Sequence, residues 1–169
     1  MRLISKSDII DVRQISKSVT EPVINNFIDE AQLLDLKPLV GESLYQEIIL
    51  NPANYQDLLN NVTYNYNGSE VTSCGLKRVL IHFAFARYVM NGNLIDTPFG
   101  MVEKQFQDGK NIERTSKKEL YKYNQQIAFQ YWNEVERYLN RNQDLYPKWK
   151  NGPCETRRNT SFRLNKITR

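Results

Sequence analysis

Residues 76–90 set the terms for the rest of the chain. Leu76, Val79, Leu80, Phe83, Ala84, Phe85, Ala86, Tyr88 and Met90 put apolar side chains on nearly every side of a helix rather than along one stripe. Such a helix is stable in water only when other elements enclose it, so the spacing predicts a central helix within a helical bundle. Asn91-Gly92-Asn93 ends it as a C-cap signal. The segment carries His82 and Arg87 and is too short to span a bilayer, so no membrane association is expected.

The enclosing helices are legible from three- and four-residue spacing. A short helix starting at Ser7 would carry Ile9, Ile10, Val12 and Ile15. Thr20 reads as the N-cap of a stronger one, with Glu21 and Pro22 in its first turn. Val23, Ile24, Phe27, Ile28, Ala31 and Leu34 then share a face. Pro38 is expected to open a new helix rather than continue this one. That next helix places Leu39, Leu44, Tyr45, Ile48 and Ile49 in a stripe up to Asn51-Pro52, and a helical turn over 55–59 follows. The longest helix is capped at Thr115 or Ser116. Its expected buried face is Leu120, Tyr123, Ile127, Ala128, Tyr131, Val135, Tyr138 and Leu139.

Two stretches depart from the helical period. In 62–73, Val62, Tyr64 and Tyr66 alternate with polar residues, and Asn67-Gly68 is the dipeptide that accepts the positive φ angles of a tight turn. This predicts a β-hairpin projecting from the body, with Tyr64 and Tyr66 as candidate subunit contacts. Residues 94–113 read as an ordered loop. Within it Thr97-Pro98-Phe99-Gly100-Met101-Val102 is either a turn buried against the helices or a loop offered to a neighbouring subunit, with Phe99 and Met101 as its contacts. The fold class is therefore mainly α: a bundle of about four to five helices with one inserted β-hairpin and an extended C-terminal arm.

Charge divides the chain at residue 148. Residues 148–169 hold Lys148, Lys150, Arg157, Arg158, Arg163, Lys166 and Arg169 against Glu155, a net +6, which leaves −2 on 1–147 out of a total of +4. A charge block at one end usually marks an interaction arm. We read 1–147 as the folded body and 148–169 as an arm that orders against a partner. Arg157, Arg158, Phe162, Arg163, Leu164, Lys166, Ile167 and Arg169 are its candidate binding residues. The composition fits phosphate neutralisation on nucleic acid, docking on an acidic protein with Phe162 and Leu164 as anchors, or plain solubilisation.

Little in the chain asks for chemistry. His82, the single histidine, lies among apolar neighbours, where a core histidine is the favoured reading over a base. Glu134 and Glu136 point to different sides of a helix, and Asp29 and Glu30 flank an apolar stripe as solvated charges. Phosphate-loop glycine patterns are missing. Cys74 and Cys154 lie too far apart in sequence for a zinc motif, and both read as free thiols of a reducing compartment. Met1 to Ile4 is followed at once by Ser5-Lys6-Ser7-Asp8, so no secretory leader is expected. No catalytic residue, cofactor or metal is expected.

Several motifs, taken in order, carry a family likeness. Phe27-Ile28-Asp29-Glu30-Ala31-Gln32, Leu36-Lys37-Pro38-Leu39-Val40-Gly41 and Leu44-Tyr45-Gln46-Glu47-Ile48 are similar to the opening helices of head–tail connector (adaptor) proteins of tailed bacteriophages. Gly75-Leu76-Lys77, Phe83-Ala84-Phe85-Ala86-Arg87-Tyr88 and Thr97 to Lys104 resemble the version found in crAss-like phages of gut Bacteroidales. The likeness covers roughly residues 20–150. It implies a structural virion protein at the neck, assembled in the host cytoplasm as a homo-oligomeric ring, typically twelvefold, below the portal. Portal protein above and further connector or tail proteins below would be its partners. DNA would pass through its lumen without sequence-specific binding, and the arm would reach the portal. The rival expectation from the residues alone is a nucleic-acid-binding protein that uses the basic arm.

Overall fold

The structure, a computed structural model, describes residues 1–16, 18–92, 94–97, 100–103 and 114–149. The chain is mainly helical with an inserted antiparallel hairpin. Its helices are α1 Lys6–Ile10, α2 Glu21–Glu30, α3 Lys37–Val40, α4 Glu42–Leu50, α5 Gln56–Leu59, α6 Leu76–Asn91 and α7 Arg114–Arg141. Its strands are β1 Val62–Tyr66, β2 Ser69–Ser73, β3 Leu94–Thr97 and β4 Gly100–Glu103.

Local chemistry sets the helix starts. Ser5, not Ser7, caps α1. Its hydroxyl accepts from the Asp8 amide, and the Asp8 carboxylate accepts from the Ser5 amide. Ser7 has no acid three residues on to close such a box, since Ile10 stands there. Thr20 precedes α2 as expected, with Glu21 and Pro22 in the first turn, though its side chain makes no capping bond.

The break expected before Pro38 does not occur. Helical backbone runs from α2 through a π segment, Ala31–Leu36, straight into α3. Lys37 donates to the carbonyl of Gln32, five residues back, so the ladder widens just ahead of the residue that has no N–H to give. The π segment leaves Leu33 and Leu34 in solvent and buries Gln32. The Gln32 amide accepts from Leu3 N and donates to Met1 O and Tyr45 Oη. Residues 1–4 are held there, with Leu3 and Ile4 buried and Arg2 forked onto Asp29.

Helix α6 is the centre that its composition demands, with Leu76, Val79, Leu80, Ile81, His82, Phe83, Ala84 and Ala86 all buried. Both α2 with its π segment and α7 pack on it, and α2 and α7 make no extended contact with each other. Phe83 meets Phe129 of α7 edge-on at 5.3 Å, and Tyr88 meets Phe27 of α2 at 6.1 Å. Arg87 forks onto Asp35 at 2.7 and 3.1 Å and reaches Glu30 at 3.2 Å, tying α6 to the π segment.

The inward face of α7 differs from the expected one. Asn124, Ala128, Trp132, Val135, Tyr138 and Leu139 are buried, whereas Leu120 and Tyr123 stand in solvent. The two apolar rows adjoin on the helix, and the buried one sets Trp132 edge-on against Trp149. The helix also begins at Arg114, so Thr115 and Ser116 lie inside its first turn.

The hairpin at 62–73 is present, paired from Val62↔Ser73 to Tyr66↔Ser69, with Asn67 (φ +52°) and Gly68 (φ +79°) at its turn. A second hairpin lies where a loop was expected. β3 pairs with β4 from Leu94↔Glu103 to Thr97↔Gly100. Its four-residue strands lack an Asn-Gly type turn signal, so nothing in the pattern marked it. The body extends past residue 147, because Trp149 is buried against Trp132 and donates to Asn140 Oδ1 at 2.8 Å.

Candidate functional site

Three segments meet at a notch of about 390 Å³ lined by Val12 and Arg13 after α1, Arg78 and His82 on α6, and Ile127 and Tyr131 on α7. Arg13 Nη2 lies 3.3 Å from His82 Nδ1. A guanidinium can only donate, so Nδ1 accepts and the imidazole carries its proton on Nε2. His82 also stacks on Tyr131 at 5.2 Å, Arg78 lies 5.8 Å from the same ring, and Arg13 lies 5.7 Å from that of Phe85. Among the described residues, Nε2 of His82, Oδ1 of Asn124 and Nε of Arg13 are buried without a partner in hydrogen-bonding geometry. Burial, then the charges of Arg13 and Arg78, hold the imidazole down at about 4, with Asn124 working weakly the other way. His82 is therefore neutral at pH 7 and bridges the segment after α1 to the helices.

That shift makes stability depend on pH. The imidazole of the unfolded chain protonates near 6.5 and the native one near 4. Between those values the unfolded chain binds more protons, so stability present above pH 6.5 is lost as pH falls toward 4. Urea unfolding of the wild type should show about 2 kcal/mol lost to this group between pH 7 and 4.5. His82→Asn keeps an acceptor for Arg13 but cannot titrate, and its stability should fall correspondingly less over that range. Parallel pH slopes for the two proteins would refute the assignment.

The first hairpin is seated on the C-terminal end of α7. Val62, Tyr64 and Val71 face the helix, while Thr63, Asn65, Glu70 and Thr72 face solvent. Tyr64 packs on Tyr138 at 4.9 Å and its hydroxyl accepts from Arg141 at 3.0 Å. Arg141 also covers the Tyr66 ring at 3.9 Å. Below the hairpin, a cleft of about 520 Å³ is lined by residues including Tyr64, Cys74, Glu134, Arg137 and Arg141. The Cys74 thiol donates to Tyr131 O at 3.6 Å, and burial first, then Glu134, pushes it up to about 12, so it is a protonated, inert thiol at pH 7.

The expected contact residues fare unequally. Tyr64 is largely used within the subunit, whereas Tyr66 keeps part of its ring in solvent. Met101 lies on β4, opposite Asp96. Phe99 lies outside the described residues, as do Arg157, Arg158, Phe162, Arg163, Leu164, Lys166, Ile167, Arg169 and the second cysteine, Cys154. Sequence reasoning missed Arg13, Arg78, Asn124 and Arg141. Phasing the α7 stripe on Trp132 would have found Asn124; the arginines left no sign in the spacing.

Among the described residues no group of three or more His, Cys, Asp or Glu is placed to hold a metal ion, and no helix is long and apolar enough to cross a membrane. No curated protein and no solved structure matches the chain. A model described as a family of unknown function, DUF6712, matches residues 36–159, a span that takes in α4, α6, α7 and both hairpins. That span is most of the chain, and the protein belongs to the DUF6712 family.

Proposed function

We propose that this chain is a non-catalytic structural protein of a tailed-bacteriophage virion. It forms a ring below the portal that joins capsid to tail and continues the DNA channel. One observation carries the reading: apolar side chains stand in ordered rows on two helices yet face water. Leu120 and Tyr123 stand exposed on α7, flanked by half-buried Ile127, and Val23 and Leu34 stand exposed on α2 and its π segment, flanked by Phe27, which is half-buried against Tyr88. A lone globule gains nothing from such rows, whereas a ring subunit buries them against its neighbours.

The resemblance of the motifs at 27–48 and 75–104 to phage connectors supports the same assignment. The charge distribution agrees with it. Residues 1–149 carry a net −1, suited to a lumen along which DNA slides, and the +5 of 150–169 suits an arm that docks on the portal. Folded bodies pack side by side while each arm orders on the portal, and repetition around the ring multiplies weak contacts.

Co-sedimentation with the portal assembly of the same phage at about 0.15 M salt tests this, comparing full-length protein with a version ending at Asn151. The full-length protein should pellet with portal and the truncated one should stay in the supernatant. If neither form binds portal while the full-length form shifts DNA, the connector reading fails and the arm is a nucleic-acid arm.

A further inference from the structure

The notch beside His82 holds more positive charge than its contacts within the chain account for. Arg13 and Arg78 both line it, and among the described residues neither has a carboxylate within salt-bridge distance. Arg13 uses one donor on His82 Nδ1 at 3.3 Å, and its Nε is buried with no partner among the described residues. Arg78 lies 5.8 Å from the Tyr131 ring and donates no side-chain hydrogen bond among the described residues. A guanidinium is rich in donors and has no acceptor, so most of the pair's hydrogen-bonding capacity is left unused. Desolvated donors of a charged group are costly when unmet, and a second cation at the same notch adds to that cost. Neither arginine waves freely in water. Both are half-buried, one against Phe85 and the other against Tyr131, the ring on which His82 also stacks.

An oxyanion is the guest that meets such a pair. A neutral guest leaves the charges unopposed, and a cation adds to their repulsion. A carboxylate presents its oxygens in one plane, which suits a single guanidinium fork. A phosphate presents oxygens in several directions and can accept from both arginines at once. Gln130 lines the same notch and offers an amide as a further donor. Glu134 lines it too, where it interacts with the Cys74 thiol, and its charge limits how much anion the notch accepts. With His82 neutral at pH 7, two arginines against one glutamate leave a net +1. That suits one phosphate group, whereas a polyanion laid across the notch would run against Glu134. The volume of about 390 Å³ lies at the lower end of the range for small-ligand pockets.

We propose that the Arg13–Arg78 notch is a binding site for a single phosphate group, either the free ion or the monoester of a small molecule. The site stands apart from the ring reading and survives if that reading fails.

His82 is the single histidine of the chain, so its imidazole gives one NMR signal that reports on the notch and not on the basic arm. The full chain is titrated at pH 7 and constant ionic strength with inorganic phosphate, glycerol phosphate and acetate. Both phosphates should move the His82 signal saturably, and the tighter of the two shows which form the site takes. Acetate should bind far more weakly. Arg78→Gln should weaken phosphate binding by about tenfold or more, the usual consequence of losing a charged donor. Glu134→Gln should strengthen it several-fold, because a like charge has gone. Misfolding does not strengthen binding, so the second variant decides the matter even if the first fails to fold. A His82 signal that responds to phosphate no more than to chloride of the same ionic strength overturns the site. Binding that neither variant alters, or acetate binding as tight as phosphate, overturns it as well. A short DNA duplex that moves the signal at a lower phosphate concentration than the free ion gives the notch to nucleic acid and overturns the assignment to a single group.

Discussion

Phe83→Ala should lower stability to unfolding by about 3–5 kcal/mol, a large share of the roughly 5–15 kcal/mol that holds a domain of this size together. Phe83 is 1% exposed and sits mid-helix on α6. Its ring is met edge-on by Phe129 at 5.3 Å, and α2, the π segment and α7 all pack on the helix that carries it. The size of the loss depends on whether that shell can collapse into the vacated volume. A helix enclosed in this way has no free side from which to fill the space, so the upper half of the range is expected. Phe129→Ala removes the partner ring, but Phe129 is 47% exposed, and its loss should be nearer 1 kcal/mol. Urea unfolding with an unchanged denaturant slope reads both. Near-equal losses would mean that α6 is not the enclosed centre of the body.

Gly75→Ala should be about as damaging, at roughly 3–4 kcal/mol, and a second glycine separates its causes. Gly75 precedes α6 at φ +77°, ψ 161°, and Gly41 lies between α3 and α4 at φ +84°, ψ 149°, so a side chain meets similar backbone strain at either position. They differ in surroundings. A Cβ on Gly41 meets nothing within 4 Å, while one on Gly75 falls on the main-chain carbonyl of Asn60 and comes within 2.7 Å of Leu59 O. Backbone meeting backbone cannot be relieved by turning a rotamer. Gly41→Ala should therefore cost about 1–2 kcal/mol from strain alone, and the excess at Gly75 measures how tightly the end of α5 abuts the start of α6. Equal losses at the two positions would show that the abutment gives way freely.

Much of the architecture could be read along the chain because the residues concerned act locally. Period 3.6 in Val79, Leu80, Phe83 and Ala84 and period 2 in Val62, Tyr64 and Tyr66 reflect the geometry of helix and strand, and Asn67-Gly68 dictates its own turn. Where two local signals compete, the outcome depends on neighbours that are distant in sequence. Pro38 asked for a break, but the bonds of Gln32 to Met1, Leu3 and Tyr45 and the clasp of Asp35 on Arg87 hold the helix together, and a π segment absorbs the missing N–H. The candidate surfaces divide the same way. Tyr64 and Tyr66 were visible as aromatic residues on a hairpin, but that Arg141 would clasp both depends on a helix end some seventy residues on.

The sequence by itself determined which segments are helical, which one must be central, and where one tight turn falls, because those outcomes depend on side chains a few residues apart. Only the tertiary structure decided which of two apolar rows on α7 turns inward. Trp132 packs on Trp149 and Asn124 donates to the Leu120 carbonyl, and the Leu120–Tyr123 row was left in water. Burial is a contest between faces for one enclosed surface, settled by which side chains find partners on elements distant in sequence, and those partners are not in place until the chain has folded.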